Sequence, residues 1–286
     1  MKRRTSSLSY RTVDPADQQR LTNLMHFEIW VHRHLDWRSA LEWIGYEPYL
    51  IAEKDGDLVA ALACPADTQE AAWIRLFASS SDISPSEAWN YLWPVAYQLI
   101  LRIKAGPVSA IALHNWFGKL MEESGFGVVN HVVMLQWEPQ NLPSGSKMQS
   151  MTIRDMRAED LGAIEGLDHQ AFLPVWQNSR DSLELAFKQA SIARVVEKRG
   201  QILAYQLSTA TQLGGHLARL ATHPDFQGLG IGYSLVRDLL LQFKRRGASR
   251  VTVNTQQDNA ASFALYTKAG FTKTGDSYPV YQYPPR

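Results

Sequence analysis

The sequence predicts a mixed α/β (α+β) fold in two tandem copies, each a mixed central sheet flanked by helices, with the first copy degenerate. Three observations predict it. First, a seam without periodicity, Glu138-Pro139-Gln140-Asn141-Leu142-Pro143-Ser144-Gly145-Ser146-Lys147, divides the 286 residues into halves of ordinary domain size. Second, the later half alternates strand and helix patterns. Third, the earlier half repeats the later one faintly. The segment 116–126 is similar to 261–271 at an offset of 145, and Arg75-Leu76 is similar to Arg219-Leu220 at an offset of 144. Read blandly, Gly-Phe after a short helix is only a common capping pattern. The predicted division is a first domain over 1–140, a linker over 141–150 and a second domain over 151–286.

The elements of the later half follow in order. Thr152-Ile153-Arg154 starts a strand, and 159–172 and 182–189 read as helices. Strands at 193–196 and 202–209 meet at the turn Arg199-Gly200, and 217–222 is a third strand. A helix is predicted from 230 to 246. Its Leu235, Val236, Leu239, Leu240 and Phe243 make one apolar face. Lys244, Arg245 and Arg246 suit the dipole of its last turn, and Gly247 follows as a stop. A strand over 250–253 leads to a short helix capped by Asp258 or Asn259 and ended by Gly270. A last strand runs from 271 to 283. In the earlier half, Ser84-Pro85-Ser86-Glu87 reads as a capping box with Pro at N1 of a helix over 84–104, which Pro94 should kink.

Composition excludes several classes. Lys plus Arg number 29 and Asp plus Glu 28, so net +1 gives no footprint for nucleic acid. The single cysteine, Cys64, excludes a disulfide framework and suits a reducing compartment. It reads as a small buried residue. No apolar run follows the basic N-terminus, and 88–103 is too polar to span a bilayer. The expectation is a cytoplasmic protein without membrane partners. His26, His32 and His34 lack the carboxylate or third-ligand spacing of a metal site, and none is expected. Eight of the nine tryptophans precede the seam, where they serve as core or as a partner surface.

The chemistry-bearing run is Gln227-Gly228-Leu229-Gly230-Ile231-Gly232, between a strand and an amphipathic helix. Glycines let backbone approach a ligand, and free N–H groups at a helix start suit a phosphate. The same run also serves as a plain tight turn. Tyr233 stands where a dinucleotide fingerprint needs its third glycine, and no Walker A Lys-Ser/Thr follows.

The whole run from Leu217 to Phe271 resembles the GNAT superfamily of N-acetyltransferases. The family's [QR]-x-x-G-x-[GA] falls on Gln227, Gly230 and Gly232. Its Asn and the Tyr seven residues on fall on Asn259 and Tyr266. Residues 259–266 are especially similar to ribosomal-protein alanine N-acetyltransferases. The resemblance implies tandem GNAT-type folds, acetyl-CoA as co-substrate, no metal, and acetyl transfer to a primary amine by direct attack. It implies cofactor contacts from Leu220, Ala221, Thr222, Gln227, Gly228, Leu229, Gly230, Ile231, Gly232, Tyr233, Asn259 and Ser262. Tyr266 would protonate the departing thiolate, a phenol near ~10 facing a thiol near ~8.5, with hydrogen bonding able to lower the phenol.

Ribosomal-protein acetyltransferases place a Glu on the strand before the Asn turn, where this chain has Asn254. Glu165, Asp168, His169, His223 or a water chain remain as bases. Leu173, Pro174, Trp176 and Gln177 are expected to shape the acceptor wall, with Tyr278 and Tyr281 either lining it or packing as ordinary strand aromatics. The expected partner is a small-molecule or peptide amine, and the expected assembly a homodimer. A CoA-binding pseudoenzyme or sensor is the alternative, and the tandem layout also resembles mycothiol synthase-type enzymes. The first half should bind no CoA, because Ser84 caps the helix, Glu87 adds negative charge and Met121 replaces the tyrosine.

Overall fold

The computed structural model describes residues 8–139, 151–212 and 214–284, so the expected linker 141–150 lies outside the described residues. The chain forms two compact units that no single cut separates: Met1–Val129 with Pro279–Arg286, and Asn130–Tyr278. This differs from the sequence division, and strand pairing explains it, as shown below.

The first unit carries β1 (Leu8–Thr12), α1 (Gln18–Phe27), β2 (Trp30–Arg33), β3 (Tyr49–Lys54), β4 (Asp57–Ala63), β5 (Ala66–Thr68), β6 (Ala71–Trp73), β7 (Leu76–Ser79), α2 (Pro85–Arg102), β8 (Val108–Ile111), α3 (Asn115–Glu123) and the start of β9 (Gly127–Trp137). Five strands run in the order β1-β3-β4-β7-β2. Their two faces bury separate cores, one around Trp89, Phe77 and Phe117 and one around Leu21, Trp43 and Tyr49. Helix α2 runs through Pro94 to Arg102 without ending there. Cys64 is fully buried, and burial pushes its thiol up to about 12, which leaves it inert.

The second unit continues with β10 (Thr152–Asp155), α4 (Leu161–Ala171), α5 (Arg180–Gln189), β11 (Ile192–Lys198), β12 (Gln201–Ala210), β13 (Gly214–Thr222), α6 (Ile231–Arg245), β14 (Arg250–Gln256), α7 (Ala260–Lys268) and β15 (Thr272–Tyr283). Its strand order is β10-β11-β12-β13-β14-β9-β15. Helix α6 forms where the apolar spacing predicts it. Leu235, Val236, Leu239, Leu240 and Phe243 are all buried, each contributing about 1.5–3 kcal/mol. Gly247, at φ +77°, ends the helix.

Two strands account for the crossed boundary. After α3, β9 pairs antiparallel with β14, Trp137 opposite Val251 and Val132 opposite Gln256. At the other end, residues 280–283 of β15 pair with β8, Val280 opposite Ile111 and Tyr283 opposite Val108. Each half of the sequence thus gives its last strand to the other half's unit. Alternation predicts such strands but not their partners, because pairing is non-local.

Candidate active site

The candidate site lies where β13 leaves β14. The two strands pair in parallel from Gly214 opposite Arg250 to Leu217 opposite Val253, and no pairing is described beyond that. On its other side β13 stays paired with β12 as far as Thr222 opposite Ala204. Among the described residues, 218–222 therefore have no strand partner on that edge.

The glycine loop follows. Gly228 and Gly230 take φ +76° and +77°, a region that side chains avoid. Gly230 is the N-cap of α6, with no side chain capping the helix. The first N–H groups of a 15-residue helix thus open toward the loop with the positive end of its dipole. Gln227 Nε2 donates to Thr222 O at 3.3 Å and ties the loop back to β13. A Cβ on Gly232 would lie 3.4 Å from Leu265 Cδ2 and 3.5 Å from Thr222 Oγ1. The start of α6, the second half of α7 and the end of β13 thus converge there. Leu220 and Thr222 are half-buried and Ala221 is buried. Ile231 and Tyr233 turn their side chains into the core, which leaves a ligand only their backbone, and Leu229 is exposed.

Asn259 caps α7, its Oδ1 accepting from Ser262 N at 3.0 Å. Tyr266 packs against Phe271 with ring centres 5.6 Å apart. Its hydroxyl has no hydrogen bond among the described residues, and burial raises its pKa above the ordinary phenol value. The lowering by hydrogen bonds expected from sequence is absent. The phenol therefore stays protonated around neutral pH, with its O–H present as a donor.

On the opposite face Asp168 of α4 is fully buried and takes a bidentate grip from Arg219, Nε and Nη2 each at 2.8 Å. The Tyr205 hydroxyl donates to the same carboxylate, and burial holds that phenol protonated. Arg219 Nη2 also donates to Trp176 O at 2.7 Å, and its guanidinium lies 3.6 Å from the centre of the Phe172 ring. Gln177 Nε2 donates to His169 O and Phe172 O. The segment 172–178 is thereby fastened over β13 as a wall, with Leu173 exposed on it. So bound, Asp168 is a structural anion rather than a free base. His169 Nε2 lies 3.2 Å from Asn178 O. His223 caps the following turn by accepting from Asp225 N at 3.3 Å, on the rim of a cleft of about 550 Å³ with Gln170 and Arg199. Asn254 is exposed opposite Met134. Tyr278 is half-buried in this unit. Tyr281 belongs to the first unit, where its hydroxyl donates to Glu122 at 2.8 Å, so it packs there instead of lining the acceptor wall.

The first unit resembles the second in layout and differs at this place. Its β6 pairs in parallel with β8, and the chain then parts so that β7 pairs with β4. The edge of β7 that would remain open is filled by β2, Trp30 opposite Ser79 through Arg33 opposite Leu76. His32 is buried in that strand and stacks on Phe117 at 3.7 Å. Ser84 Oγ accepts from Glu87 N at 3.2 Å, one of the two bonds of the expected box, so α2 is capped where α6 is not. Met121 is fully buried in the core.

Residues 159–271 match the acetyltransferase (GNAT) family. The chain is 23% identical over 122 residues to the [ribosomal protein bS18]-alanine N-acetyltransferase of Escherichia coli strain K12, covering 43% of this chain and 81% of that one. Among solved structures, a tandem GNAT protein from the clavulanic acid biosynthesis pathway superposes with a TM-score of 0.65 at 11% identity, covering 96% of this chain and 98% of that one. A GCN5-related N-acetyltransferase from Sphaerobacter thermophilus gives 0.61 at 15% identity, covering 96% and 95%.

Proposed function

The C-terminal region of this chain is a GNAT N-acetyltransferase domain, and on that premise we propose that it moves an acetyl group from acetyl-CoA to a primary amine by direct attack, at the start of α6. One observation carries the reading: an uncapped helix N-terminus opened by left-handed glycines, beside a strand edge without a partner among the described residues over 218–222. No side chain stands at 228, 230 or 232 to block a phosphate, so the residues present fit the cofactor that GNAT-fold acetyltransferases use.

Backbone N–H groups of 228–233 bind the pyrophosphate. Leu220, Ala221 and Thr222 pair with the pantetheine arm as with an added strand. Gln227 fixes the loop, and Asn259 and Ser262 border the arm at the start of α7. Acetyl-CoA supplies a thioester whose carbonyl carbon accepts the amine. N–H groups on the open edge of β13 stabilise negative charge developing on the carbonyl oxygen. Tyr266 gives its proton to the departing sulfur. The segment 172–178, held by Arg219, borders the acceptor. The name of the E. coli relative, an alanine N-acetyltransferase, makes an alanine-initiated peptide the first acceptor to try; small-molecule amines come next. The first unit binds no acetyl-CoA, because β2 fills its strand edge and Ser84 caps α2.

The test is release of CoA from acetyl-CoA across a panel of amines. Tyr266→Phe should lower the rate about 100-fold with unchanged acetyl-CoA affinity. Acetyl-CoA binding without amine-dependent release would favour the second reading, a CoA-binding sensor, which Asn254, at the position where ribosomal-protein acetyltransferases carry a Glu, suggests. In the first unit, replacing Ser84 and Glu87 with Ala should leave acetyl-CoA stoichiometry unchanged; loss of binding in that variant would refute a closed first slot.

A further inference from the structure

The site as described has a proton donor, Tyr266, and still needs a group to take the proton of the attacking amine. That group belongs on the sheet face away from α6, near the point where β13 leaves β14. Gly215 and Leu217 face α6, because a Cβ at 215 would meet the Phe243 ring at 2.4 Å and Leu217 packs in the same core. Val251 and Val253 of β14 also pack there. Alternation then puts His216 and Thr252, which lie opposite each other across the parallel ladder, on the other face. His216 is half-buried, next to the last paired residue before the strands part.

A hydrogen-bond chain fixes its ring. Nδ1 lies 2.9 Å from Thr252 Oγ1, and Thr252 Oγ1 donates to Gly215 O at 3.5 Å. With the Thr252 hydroxyl turned to Gly215 O, Nδ1–H donates to Thr252 Oγ1, and this is the tautomer of His216 in which Nε2 keeps its lone pair. Resting on the acetyltransferase reading above, we propose that His216 is the general base and Thr252 its positioning residue. Nε2 takes the amine proton as the N–C bond forms, the C–S bond breaks, and the sulfur takes the Tyr266 proton. Burial lowers the His216 pKa, which keeps the imidazole neutral around pH 7. The groups across the ladder, Thr209 and Thr252, carry no charge. Of α4, packed over β13, Asp168 is taken up by Arg219. The α6 side is separated from the ring by the strand itself.

The experiment measures CoA release with an alanine-initiated hexapeptide, and slow hydrolysis with water as acceptor, against pH. Acetyl-CoA binding is titrated separately on each protein. For wild type the rate should rise through one ionisation below the ordinary imidazole pKa and then level. His216→Gln should lose about 100-fold in both reactions, lose that inflection, and keep its acetyl-CoA affinity. Thr252→Val should move the inflection and lose less. A His216→Gln rate within threefold of wild type, with the inflection kept, would overturn the proposal. So would wild type that binds acetyl-CoA yet catalyses neither reaction. Failure of wild type to bind acetyl-CoA would instead remove the reading on which the proposal rests.

Discussion

Gly230→Glu is expected to lower acetyl-CoA affinity at least 100-fold while leaving the fold intact. Two effects add. Gly230 sits at φ +77°, and a side chain held there costs about 1–3 kcal/mol, so the loop would shift away from its present path. The new carboxylate would also stand at the N-terminus of α6, where the proposal seats the pyrophosphate, and would compete for its N–H groups. A 100-fold loss corresponds to about 2.7 kcal/mol, within reach of either effect. The helix itself tolerates the change, because an acidic group is favourable at its N-terminus. Calorimetric titration reads the affinity and circular dichroism the fold. Unchanged affinity would mean that the loop holds no phosphate.

Asp168→Ala is expected to cost about 3–5 kcal/mol of stability, because it leaves the Arg219 guanidinium largely buried without its partner. The Tyr205 hydroxyl loses its acceptor in the same step. Urea denaturation of wild type and variant measures the loss. The double variant Asp168→Ala with Arg219→Leu should recover much of it, since an absent pair costs less than a broken one. Function should separate from stability in that double variant. Arg219 also fastens Trp176 O and stacks on Phe172, so KM for the amine should rise while acetyl-CoA affinity holds. A double variant as unstable as the single one would assign the loss to the cavity rather than to the stranded charge.

Local signals made much of this molecule legible in its sequence. The core of α6 follows from apolar spacing, and the glycines that take left-handed backbone at 228, 230, 247 and 270 were visible as turn and stop signals. The match of 116–126 to 261–271 corresponds to α3 and α7, two short helices at an offset of 145. What was not legible is non-local. Nothing in 127–137 says that it pairs with 251–256, and nothing in 280–283 says that it pairs with 108–111. Strand β2 reads as four ordinary residues, Trp30 to Arg33, yet it fills the edge of β7. Asp168 was visible as a carboxylate and named as a base, but only the structure gives it Arg219 and Tyr205 as partners. His216 gave no signal of its own. Its meaning depends on Thr252, 36 residues on, and on which face of β13 meets Phe243.

The central claim is a single acetyl-CoA site, built by the β13 edge and the start of α6 in the second unit. Calorimetric titration of the full chain with acetyl-CoA tests it most directly. One site per chain, lost in Gly230→Glu and kept when Ser84 and Glu87 are replaced, is the result this account predicts. Two sites per chain, or one site that survives Gly230→Glu, would contradict it.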